Sequence, residues 1–63
     1  MISISKENFF KYHANSGGKI LSCYLHGKLE HISYADFMKI PPQVIELPSG
    51  GRYSIRKDVV VSI

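Results

Sequence analysis

The side chains best equipped for chemistry lie close together: Cys23, His26 and His31 fall within nine residues, with His13 ahead of them. Thiolate and imidazole are zinc ligands, and a tetrahedral site needs four. A two-residue turn at His26-Gly27 would put Cys23 and His31 on opposite faces of a hairpin, and structural zinc sites usually bring cysteines in closely spaced pairs. Cys23 is therefore expected as a small buried core residue, with no metal and no cofactor. Nucleophilic catalysis by Cys23 or a serine would need a histidine base and an acid such as Asp36 to orient it. No glycine-flanked nucleophile elbow accompanies them. Glu7, Glu30, Asp36, Glu46 and Asp58 are scattered singly, so no carboxylate pair stands ready for acid-base work. A phosphate loop is also missing, because His13 stands where its first glycine belongs and Ile20 where its hydroxyl residue belongs. These residues predict a protein that is not an enzyme.

The cations suggest more. Arg52, Arg56 and Lys57 fall within six residues with Tyr53 among them, and Lys39 follows Phe37 in a second segment. Cations that meet phosphate beside rings that stack on bases are the basic equipment of a single-strand binder. Eight Lys and Arg against five Asp and Glu give +3 and a pI near 9.2, which suits an acidic partner without requiring one.

Positioning these residues falls to one domain, residues 1–63, since 7.1 kDa leaves no room for two. With 44% hydrophobic and 21% charged residues the chain should fold. Ile2-Ser3-Ile4 alternates as a short strand would. Ser5 offers a cap to a helix over Lys6 to Ala14, in which Phe9, Phe10, His13 and Ala14 recur at helical spacing. Asn15-Ser16-Gly17-Gly18 stops it. Lys19 to Ser33 is rich in branched and aromatic residues and broken only at His26-Gly27, which predicts a β-hairpin pairing Cys23 with Glu30 and Ser22 with His31. Leu21, Cys23, Leu25 and Ile32 then share its core face. Ser33 caps a short helical turn ending at Lys39, before Pro41-Pro42. Gln43 to Leu47 and Tyr53 to Ile55 form a second hairpin around Pro48-Ser49-Gly50-Gly51, and Val59 to Ile63 closes the order as a last strand. The fold class is α+β, mainly β: an N-terminal helix, then a small antiparallel five-stranded barrel of SH3-like or Sm-like form, or a curled sheet. Closure would hide the edge of Val59-Val60-Val61.

This order of elements resembles the Sm-like family of Sm, LSm and Hfq-type proteins. Ile55-Arg56-Lys57-Asp58-Val59-Val60-Val61-Ser62-Ile63 is similar to that family's second motif, with Lys57 at its glycine. Ile32, Asp36 and Phe37-Met38-Lys39 are similar to its first, with Lys39 at its asparagine. The resemblance implies a bent five-stranded barrel assembled into a ring, with Arg56 and the loop around Phe37 and Lys39 at the RNA-contacting positions.

Two binding functions follow. In the first, Lys39, Arg52, Arg56 and Lys57 hold phosphates of single-stranded nucleic acid, RNA foremost, while Phe37 and Tyr53 stack on its bases. In the second, the chain is a small protein-binding module or inhibitor, of the type found in phages and plasmids. It would act through a sheet edge or an aromatic patch such as Phe9, Tyr12 and Tyr34. Self-association would supplement so small a core. Apolar runs of at most three residues predict a soluble, cytoplasmic chain with no membrane partner.

Overall fold

The computed structural model describes residues 2–15 and 17–63; Ser16, part of the expected helix stop, lies outside the described residues. The elements are β1 (Ser3–Ser5), α1 (Lys6–His13), β2 (Ile20–Leu25), β3 (Lys28–Ser33), α2 (Tyr34–Lys39), β4 (Gln43–Glu46), β5 (Arg52–Ile55) and β6 (Val59–Ser62). All six strands belong to one antiparallel sheet in the order β1-β6-β5-β4-β2-β3.

Local chemistry sets each boundary. The Ser5 hydroxyl accepts from the Asn8 amide at 3.1 Å and opens α1. Ser33 does the same for α2, accepting from the Asp36 amide at 3.3 Å. Past Lys39, Pro41 and Pro42 forbid further helix. The β2–β3 hairpin has the expected register, Cys23 opposite Glu30 and Ser22 opposite His31. Its two-residue turn is left-handed, with φ of 54° at His26 and 79° at Gly27, which matches the twist of the strands it joins.

Both helices pack on one face of the sheet. Phe9 and Phe10 of α1 and Phe37 of α2 meet Leu21, Cys23, Ile32, Ile45, Leu47, Ile55 and Val60 in a single core. Leu25, expected on the same face, is half-buried against it. The opposite face carries no helix and leaves Tyr24, Leu29, Val44 and Val59 exposed.

Two features differ from a five-stranded barrel. The sheet has six strands, because Ile2-Ser3-Ile4 is realised one residue later as β1, which pairs along β6 as Ser3–Val61, Ile4–Val60 and Ser5–Val59. It also stays open. Strands β2 and β4 share the single pair Tyr24–Glu46, a narrow seam between two hairpins, while β1 and β3 remain at opposite edges. The exposed edge foreseen for Val59-Val60-Val61 is thus covered by a strand from the start of the chain instead of by closure.

Candidate binding surfaces

The six residues expected to meet nucleic acid do not form one site. Phe37 is fully buried, its ring 5.9 Å from that of Phe9 and 5.5 Å from that of Phe10. It has no face to offer a base, which corrects its assignment as a stacking platform: α2 turns the ring inward to fill the space between α1 and the sheet. Arg52 opens β5 and Arg56 follows its end, so they stand about 13 Å apart at ~3.3 Å per strand residue. Arg52 extends over the helix-free face, where Nε lies 3.6 Å from Glu46 Oε1. Tyr53, next in the strand, points the other way, its ring 4.9 Å from that of Phe9.

Lys39 ends α2, and Arg56 and Lys57 lie in the β5–β6 turn. These two segments are joined by Lys6, the one charged residue buried among the described residues. Its backbone amide donates to the Asp58 carbonyl at 3.0 Å, and Nζ donates to the carbonyls of Met38 at 3.4 Å and Ile40 at 3.5 Å. Lys6 thereby ties the β5–β6 turn to the end of α2, placing an ammonium where a helix leaves its last carbonyls unpaired. Lys39, Arg56 and Lys57 lie on the two segments joined in this way, all exposed, with no ion pair among the described residues.

At the other end of the helix-covered face, α1 and the sheet part. Phe9, Tyr12, His13, Ile2, Ile4, Tyr53 and Ser62 line a cleft of about 420 Å³. Its floor and walls are rings. Phe9 and His13 lie 4.5 Å apart, His13 and Tyr53 5.7 Å, and Tyr12 and His13 4.9 Å. Tyr12 stands 80% exposed at the mouth. Desolvation among these rings holds the His13 pKa below its ordinary value of about 6.5. Gly51 sets the Tyr53 wall: a Cβ there would come within 2.9 Å of Tyr53 Cε1 and 3.0 Å of its hydroxyl.

The aromatic patch expected from Phe9, Tyr12 and Tyr34 is divided. Phe9 is the buried floor of this cleft, whereas Tyr34 packs edge-on against Phe10 at 5.3 Å and donates its hydroxyl to Glu7 at 3.3 Å. Sequence reasoning had His13 as a helix residue and Tyr53 as a base platform; what joins them is strand pairing between distant segments. A broader groove of about 690 Å³ crosses the β2–β4 seam, lined by Tyr24, His26, Val44, Glu46, Pro48 and Arg52 among others. Its cation already faces Glu46.

Cys23 is wholly buried, and burial, assisted by the Glu30 charge, pushes its thiol pKa up. That environment favours the thiol over the thiolate a nucleophile or metal ligand requires. Among the described residues no helix is long and apolar enough to cross a membrane. No family model matches the chain, and no curated protein or solved structure is similar to it.

Proposed function

We propose that this chain is a non-catalytic binding module whose partner is another protein. The observation that carries this reading is the cleft between α1 and the sheet, where apolar and aromatic side chains reach solvent in a concave surface built on regular elements. Partner proteins are typically held by a few anchors buried in such recesses, with the surrounding contacts excluding water. Mass measurement of the tagged chain under native conditions, before and after nuclease treatment, tests it. A stoichiometric protein partner that survives nuclease supports the reading; nucleic acid as the sole companion overturns it. Ring assembly, implied by the Sm-like resemblance, would register in the same measurement as a multiple of 7.1 kDa.

One observation favours single-stranded nucleic acid as a second reading: Lys6 ties together the two segments that carry Lys39, Arg56 and Lys57, which have no ion pair among the described residues. Three phosphate contacts on a single strand give a log–log salt slope of about −2, or roughly a 20-fold loss between 50 and 200 mM salt. Arg56→Ala should flatten that slope by about 0.7. Binding to RNA and DNA oligonucleotides that ignores salt would remove this second reading.

A further inference from the structure

We propose that the cleft between α1 and strands β1, β5 and β6 is a receptor for one neutral aromatic ring with a polar handle, the side chain of a tryptophan or tyrosine on the partner protein. The proposal rests on the protein-binding reading for the source of the ring, and on the cleft itself for its chemistry.

The lining selects by exclusion. Among the described residues no Asp, Glu, Lys or Arg contributes to it, so neither a cation nor an anion finds a counter-charge from them. A quaternary ammonium could still use ring faces, but His13 would oppose it whenever protonated. A volume of about 420 Å³ lies toward the small end of ligand pockets, room for one ring or two fused rings. Phe9, His13 and Tyr53 already pack on one another at the 4.5–5.7 Å centroid separations that edge-to-face and tilted pairs adopt, so an incoming ring extends an existing aromatic cluster. Polar atoms complete the site at its rim. The Ser62 hydroxyl oxygen accepts from the Ile2 amide at a long 3.4 Å and keeps its own hydrogen to donate, and the Tyr12 and Tyr53 hydroxyls carry no hydrogen bond to the described residues. An indole N–H or a phenol O–H finds a hydrogen-bond partner there, which a leucine side chain cannot use.

The walls of the recess are packed in place. The Tyr53 ring lies over residue 51, which has no Cβ to displace it, and Phe9, 1% exposed, is fixed between Phe37 and the sheet. A ring entering the cleft therefore meets walls that need little rearrangement, which keeps the ordering cost of association low.

Amide-resolved NMR titration of the full chain with N-acetyl-tryptophanamide and N-acetyl-tyrosinamide tests the proposal, with N-acetyl-leucinamide, choline and adenosine as comparators. Saturable shifts at Tyr12, His13, Tyr53 and Ser62, with the two aromatic amides at least fivefold tighter than any comparator, are expected. Ser62→Trp, which plants a ring in the cleft from within, should abolish them, and Tyr12→Ala, at an exposed position that folding does not depend on, should weaken them about threefold or more. Absence of saturable shifts overturns the proposal. So does choline or adenosine binding as tightly as the aromatic amides, or shifts at these residues that track protein concentration and mark a second copy as the occupant. The two readings fail separately. If the amides bind and the chain has no protein partner, the proposed function falls and the receptor stands. If a partner binds equally well to Ser62→Trp and Tyr12→Ala, the receptor falls and the function stands.

Discussion

The helix-covered face has two ends that are built from the same materials and finished differently. At one end α1 and α2 close over the sheet, Phe37 fills the space between them, and Lys6 locks the helix ends and the β5–β6 turn together. At the other end α1 stands alone, and Phe9, His13 and Tyr53 line a recess instead of a sealed core. Aromatic residues at helical spacing serve both. What separates them is whether a second helix supplies the opposing side chains. The lesson is that in a domain this small, one added helix decides whether aromatic side chains are sealed into the core or left lining a recess.

The largest test of this contrast is Phe37→Ala. It should cost about 3–5 kcal/mol by emptying the closed end, a large part of the total stability of so small a domain, and denaturant unfolding would report it. If the loss were under about 1 kcal/mol, the two ends would not differ in the way described. Lys6→Ala comes next, at about 1–3 kcal/mol, since the carbonyls of Met38 and Ile40 lose their donor. Comparison with Lys6→Met, which keeps the apolar stem, isolates the amine. At the open end, Gly51→Ala should cost roughly 1 kcal/mol, toward the lower end of overpacking effects because a ring can swing aside, and should move the NMR signals of Tyr53 and His13 while leaving those of Phe37 in place.

The smallest effect is in pH dependence. His13 has its pKa lowered on folding, so the unfolded chain takes up a proton more readily. The His13 contribution to stability is present above pH 6.5 and shrinks as pH falls through and below that value. His13→Phe should flatten the stability profile between pH 7 and 5; an unchanged profile would show that the recess does not desolvate the ring.

Several elements were legible in the sequence because local rules decide them. His26-Gly27 between alternating residues fixed the β2–β3 register, and Ser5 and Ser33 fixed two helix starts. Spacing along a strand also held information that a count of cations overlooks: residues 52 and 56 cannot share a small site when three extended strand residues lie between them. The direction in which Phe37 points was not legible, because a single ring in a six-residue helix has no periodic pattern to assign its face. Nor was the open end, whose walls come from α1, β1, β5 and β6 and are united only by long-range pairing. The barrel expectation erred for a related reason. Three residues of alternation in β1 are too few to weigh, yet they decide how the β6 edge is protected.

The partnership of β1 with β6 has a kinetic side. Ser3 finds Val61 and the Lys6 amide finds Asp58 only after more than fifty further residues have been synthesised, so β1 waits on the ribosome while both hairpins, which depend on near neighbours, are free to form. Docking of that strand completes the rim formed by Ile2 and Ile4, which makes a finished recess a report that β6 has arrived.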